Sequence, residues 1–188
     1  MDPRGFQASG TGLFLRALSL AATKHDGQYR KSATDAKVPY ITHPIRVALS
    51  LAMNGVTDEE ILSAAICHDV LEDTPTTYAE LASVIGERAA SIVAEVTDDK
   101  SLAKNARKEA QVARAPSYSA AAKLIKIADK ADNLLSVVET PPNWSAETKL
   151  GYAASAERVV KALGLGDRHV LVKAFHVRVG EVRLAVIG

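Results

Sequence analysis

The segment AAICHDVLEDT (64–74) sets an imidazole beside a carboxylate, His68 and Asp69, and follows them with two further carboxylates, Glu72 and Asp73. Side chains three or four apart share a helical face, which brings Asp69 near Glu72 and Asp73, and His68 near Glu72. Flanked by Ala64, Ala65, Ile66, Val70 and Leu71, three carboxylates repel one another and resist desolvation unless a cation compensates them. A divalent metal ion resolves that conflict. The plainer alternative is an acidic helix edge facing solvent beside a core histidine.

Two other segments carry groups of the same chemistry. KLIKIADKADNLLSV (123–137) sets Asp129 in an otherwise apolar helical face, with Asn133 four residues on and so on the same side. A salt bridge to Lys126 or Lys130 would also account for that acid. PYITHPIRVA (39–48) supplies His43 at a loop-to-helix junction, from which a side chain can project into a shared cleft. Together His43, His68, Asp69 and Asp129 offer two nitrogen and two carboxylate ligands and no thiolate, a set suited to Mn²⁺, Fe²⁺ or Zn²⁺.

The elements that must position these residues read as helices. Leu13, Ala17, Leu18, Leu20 and Ala21 recur at helical spacing and predict a first helix over about 11–29. Asp58 is placed to cap a helix carrying EEILSAAICHDVLEDT, and Thr77 with Glu80 forms a capping-box pattern for the next. Ser101, Ser119 and Ser145 each precede further helix-forming stretches, and Gly164 follows ERVVKAL as a terminator. The final HVLVKAFHVRVGEVRLAVIG mixes strand-favouring valines with a Leu171, Phe175, Val179 helical stripe, and is read as helix. The expectation is an all-α fold, a compact multi-helix domain of roughly eight to ten helices spanning 1–188.

Composition narrows the function classes. Of 188 residues, 23 are Lys or Arg and 22 Asp or Glu, leaving no excess positive charge to collect a nucleic-acid backbone. Cys67 is the one cysteine, which rules out an intrachain disulfide or multi-thiolate zinc site and suits a reducing, cytoplasmic setting. The apolar run from Leu13 to Ala22 is too short to span a bilayer and is interrupted by Arg16, so no membrane partner is expected. Oligomeric state, with a homodimer as one option, is not read from the sequence.

ITHPIRVA, AAICHDVLEDT, VTDDKS and KLIKIADKADNL occur in the same order as in the RelA/SpoT-type alarmone hydrolase domains, members of the His-Asp phosphohydrolases. The chain resembles their stand-alone form, the small alarmone hydrolases, over about residues 14–163. The resemblance implies one Mn²⁺ held by His43, His68, Asp69 and Asp129, with Glu72 and Asp73 as the catalytic pair and Asn133 beside the ribose. It implies that Arg30 and Lys31 pack on the nucleobase, that Lys100 supplies positive field, and that Tyr152, eight residues past Trp144, reaches the substrate phosphates. Lys104, Arg107 and Lys108 could add to that field, but read more simply as a lysine-rich helix surface.

The chain departs from the family in two places. Thr148 and Lys149 stand where an arginine is common, leaving Lys149 as a partial substitute in phosphate binding. Ala131 and Asp132 replace bulkier residues, commonly leucine followed by an aromatic or histidine, which leaves purine preference open. The implied activity is removal of the 3′-pyrophosphate from guanosine tetra- or pentaphosphate, giving GDP or GTP and pyrophosphate, with a small nucleotide as the partner. Adenosine alarmones and the 2′-phosphate of NADPH are the alternatives within the enzyme class. Outside it stand a non-catalytic nucleotide or metal sensor and a helical interaction module.

Overall fold

In the computed structural model, residues 10–33, 37–139 and 141–187 are described, and within them ten α-helices and one 3-10 turn carry the fold. Helix α1 (Gly10–Lys24) is shorter than its periodicity predicts. Gly27 takes φ +73°, a left-handed conformation that ends the helix, and the chain turns outward. Tyr29 then pairs with Pro39 in an isolated antiparallel bridge, with Arg30 N–H donating to the Val38 carbonyl (2.9 Å) and Tyr40 N–H to that of Gln28 (2.8 Å). That bridge carries the chain into α2 (Thr42–Met53), whose second residue is His43.

Helix α3 (Glu59–Ile66) starts where expected, because the Asp58 carboxylate accepts from the N–H groups of Glu60 (3.0 Å) and Ile61 (3.3 Å). Replacing Asp58 by Ala leaves both donors unpaired and is expected to cost about 1 kcal/mol, read as a lowered urea midpoint at unchanged slope. An unshifted midpoint would show that the cap contributes nothing. Asp58 also pairs with exposed Arg88, an interaction that adds little on a surface.

The expected single helix through EEILSAAICHDVLEDT is broken. It stops at Ile66 and a short α4 (Val70–Asp73) follows, with Cys67 and Asp69 both near φ −100° and ψ 0°. Adjacent side chains on an unbroken helix diverge by about 100° and cannot aim at one point, so this break lets His68 and Asp69 converge.

Beyond it come α5 (Tyr78–Ile85), α6 (Glu87–Val96), α7 (Lys104–Arg114), the 3-10 turn Ala115–Ser117, α8 (Ala120–Glu139), α9 (Ala146–Leu163) and α10 (Val170–Ile187). Thr77, Ser119 and Ser145 each accept a helix-start N–H, and Gly164 ends α9 in the left-handed region. Ser101 does not cap: it bonds Asp99, and α7 begins after Ala103. Glu80 leaves its half of the capping box and pairs with Lys24 at 2.7 Å.

Helix α8 is the hub. It packs against α2, α6, α9 and α10, and so is buried on most sides. The C-terminal segment is helical because Leu171, Phe175, Val179 and Val182 form one buried stripe against α8, which the tertiary contact rewards over the strand preference of its valines. Helix α3, seated between α1, α2 and α6, brings the break at residues 67–69 to the middle of α8.

Candidate active site

Three pieces of backbone meet at one point: the first turn of α2, the α3–α4 break and the centre of α8. His43 Nε2 lies 3.3 Å from Asp129 Oδ1 and 3.6 Å from Asp69 Oδ2, and His68 Nε2 lies 3.1 Å from Asp69 Oδ2 and 3.8 Å from Asp129 Oδ1. Donor atoms held about 2.1 Å from one ion stand roughly 3.0–3.4 Å apart in octahedral or tetrahedral arrangement. His43, His68 and Asp69 thus form a cluster able to hold a divalent ion, with Asp129 presenting a fourth donor.

The orientation of the rings supports the same chemistry. His68 Nδ1 donates to the Ala65 carbonyl (2.8 Å), which leaves Nε2 as the lone-pair nitrogen. That Nε2 is buried and makes no hydrogen bond of acceptable geometry, despite the nearby carboxylates. Groups that converge on a common point without bonding one another match a cation site better than a closed polar network.

The charges respond accordingly. Burial alone would depress the His68 pKa, but the charges of Asp69 and Asp129 outweigh it and push it up to about 10. Asp69 and Asp129 are held low against their own desolvation, the first by His68 and the second chiefly by Lys130, whose Nζ sits 3.4 Å from Asp129 Oδ2. Two carboxylates in this setting require positive charge, which a proton supplies when no metal does. Asp129 therefore does pair with Lys130, as the plainer reading of its helix held, but through the oxygen turned away from the histidines.

A cleft of about 960 Å³ adjoins the cluster. Of the residues expected to meet substrate, Arg30, Lys31, Asn133 and Tyr152 line it, as does Asp73. Asn133 donates from Nδ2 to Asp129 Oδ1 and so links the cleft to the cluster. Lys100 is not on the lining but pairs with Asp73. Lys149 is also off it, and Thr148 takes that place. Lys104 and Lys108, read from sequence as helix surface, face the cleft, and with Arg107 and Lys130 they border a smaller cavity of about 240 Å³ beside Glu72.

Glu72 and Asp73 have different hydrogen-bond partners. Glu72 accepts from the Asp98 backbone N–H at 3.1 Å, and burial raises its pKa. Asp73 accepts from the Tyr40 hydroxyl at 3.1 Å, and from Lys100.

An HD-domain family model matches residues 17–159. The chain belongs to the HD-domain family. It is 46% identical over 157 residues to a Danio rerio protein named guanosine-3′,5′-bis(diphosphate) 3′-pyrophosphohydrolase MESH1, covering 82% of this chain and 86% of that one. To the Homo sapiens protein of the same name it is 45% identical over 151 residues, covering 79% and 83%. A solved structure described as a metazoan orthologue of SpoT that hydrolyses ppGpp superposes with a TM-score of 0.82 at 38% identity, over 93% of this chain and 96% of that one. The resemblance drawn from the four motifs is borne out, and the all-α fold with it.

Of two further residues at this site, one escaped the sequence reading and the other was noted there only for purine preference. Tyr40 donates to Asp69 Oδ2 at 2.6 Å, and burial, with Asp69 close by, raises its pKa so that it stays a donor. Its place three residues before His43, on the approach to the same helix, was the available signal. The other is Asp132. Read from the sequence as bearing on purine preference, it does not line the cleft; it is buried against His43 and Arg46. Ala131 is likewise off the lining.

Proposed function

We propose that this HD-domain chain is a Mn²⁺-dependent hydrolase that removes the 3′-pyrophosphate of guanosine tetra- and pentaphosphate, releasing GDP or GTP. The convergence of two imidazole nitrogens and two carboxylate oxygens beside a basic, aromatic-edged cleft carries this reading, and the names of the relatives supply the substrate. His43, His68, Asp69 and Asp129 would hold the ion. When bound, such an ion supplies a water acidic near neutral pH and offsets charge on the phosphate under attack.

The chain's own residues do the rest. Glu72, raised in pKa yet fixed by the Asp98 N–H, takes the proton of the attacking water. Asp73 lies between Tyr40 and Lys100 and orients that water from the cleft side. Arg30, 5.6 Å from the Tyr40 ring centroid, and Lys31 offer a cationic face and an aliphatic stem for the purine. Asn133 addresses the ribose. Lys104 and Lys108 join Lys100 and Tyr152 as the groups that meet phosphate oxygens, and Lys149 contributes charge from just outside the lining.

Residues 1–188 are read as one hydrolase domain acting on a small nucleotide. No helix among the described residues is long and apolar enough to cross a membrane. Burial pushes the Cys67 thiol up to about 12, which leaves it unreactive.

The test is product analysis. Purified protein is incubated with guanosine tetraphosphate, its adenosine counterpart and NADPH, each with Mn²⁺ or with chelator. GDP and pyrophosphate in equal amounts, from the guanosine substrate and only with metal, are expected. Phosphate release from NADPH alone would replace the substrate assignment. Tight binding of all three without product would make the protein a sensor.

A further inference from the structure

Both ring nitrogens of His43 are committed. Nε2 faces the carboxylates of Asp69 and Asp129, while Nδ1 lies 2.6 Å from Asp132 Oδ2. Asp132 is buried and is itself gripped: Arg46 Nε donates to Oδ1 at 2.6 Å, and Arg46 Nη2 reaches Oδ2 at 3.1 Å and Ser136 Oγ at 3.0 Å. Because Asp132 does not line the cleft, it is not placed to touch substrate. A buried carboxylate with a charged fork on one side and an imidazole on the other needs a reason to be there.

We infer that Asp132, held by Arg46, is the positioning residue that makes His43 a metal ligand. A carboxylate only accepts, so the ring proton of His43 is held on Nδ1 and the lone pair is turned to the shared point. Without Asp132 the competing tautomer becomes favourable: a proton on Nε2 can be donated to Asp129 Oδ1, 3.3 Å away, which closes the site against a cation. Arg46 compensates the charge of Asp132 directly, so the ion has to balance only the carboxylates that face it. The Arg46 fork also sets the rotation of the carboxylate, and through it the plane of the imidazole.

This inference rests on the metal-site reading above, and the experiment separates the two. Mn²⁺ binding is titrated calorimetrically to the full-length parent, Asp132→Leu, Asp132→Asn and His68→Ala, alongside metal-free thermal melts. The His43 tautomer is read from nitrogen-15 shifts in metal-free protein. Asp132→Leu is expected to weaken Mn²⁺ binding about 10–100-fold, the loss characteristic of removing a ligand's orienting partner. Asp132→Asn keeps shape and an acceptor, and so is expected to melt near the parent while weakening Mn²⁺ and mixing the His43 tautomers. Should Asp132→Leu fail to fold, Asp132→Asn decides alone. Parental affinity and an unchanged Nδ1–H tautomer in the folded variants would overturn the role of Asp132 while leaving the metal site standing. Absence of Mn²⁺ binding in the parent itself would overturn the metal reading and this inference with it.

Discussion

Alanine at position 68 is expected to remove bound Mn²⁺ and turnover together, with kcat/KM falling on the order of 10³-fold or more, because the acidity of the attacking water depends on the ion. His68 is placed for that role by the α3–α4 break and by its Nδ1 bond to the Ala65 carbonyl. Removing the ring deletes one of four converging donors and leaves Asp69 and Asp129 facing each other with less positive charge between them. The metal-free variant should still fold, since the α3 core of Ala64, Ala65 and Ile66 is untouched. Metal content by mass spectrometry after gel filtration, beside steady-state rates and circular dichroism, checks all three statements. A folded His68→Ala protein that keeps stoichiometric Mn²⁺ and turns over within tenfold of the parent would remove His68 from the centre.

Glutamine in place of Glu72 is expected to do the opposite to binding and much the same to rate. Its amide oxygen can still accept the Asp98 N–H, so the local structure and Mn²⁺ affinity are retained, while loss of the base costs about 10²–10⁴-fold in turnover. The pH profile gives the sign. Burial raises the Glu72 pKa above its ordinary 4.5, and a base must be ionised to act. The acid limb of kcat/KM should therefore fall off at higher pH than for a solvated glutamate, and the residual rate of Glu72→Gln should lack that limb.

Stability moves the other way. A carboxyl whose folded pKa exceeds its unfolded value favours the fold below the unfolded pKa and gives up that advantage as pH rises through the folded one. Holding Glu72 ionised at neutral pH is thus a cost to the fold. Glu72→Gln should melt at or above the parent temperature at pH 7 while being nearly inactive, a pairing typical of residues kept for function. A lower melting temperature with full activity would contradict both halves.

Much of the helical architecture was legible because its signals are local. Asp58, Thr77, Ser119, Ser145 and Gly164 act on backbone groups within a few residues, so their spacing alone locates helix ends. Where the reading failed, a competing local choice won. Gly27 ended α1 early by adopting positive φ, and Ser101 bonded to Asp99 instead of capping α7. The C-terminal valines could not be assigned from propensity, since only the buried contact of Leu171, Phe175 and Val179 with α8 selects the helix.

The types and order of the chemistry-bearing residues belong to the primary structure. Imidazoles at 43 and 68 and carboxylates at 69, 72, 73 and 129 state a demand for a compensating cation before any fold is known, while the nucleotide and the part played by Arg30 and Lys31 come from the resemblance of the motifs. What tertiary structure alone decided is where each side chain is aimed. It broke a helix that sequence ran through, gave Glu72 and Asp73 different partners, turned Lys104 and Lys108 into the cleft, and set Tyr40 against Asp69 and Asp132 against His43. The physical reason is that hydrogen-bond direction depends on contacts between segments distant in the chain, such as His43 with Asp132, Arg46 with Ser136 and Arg30 with Asn133, and no local pattern encodes those.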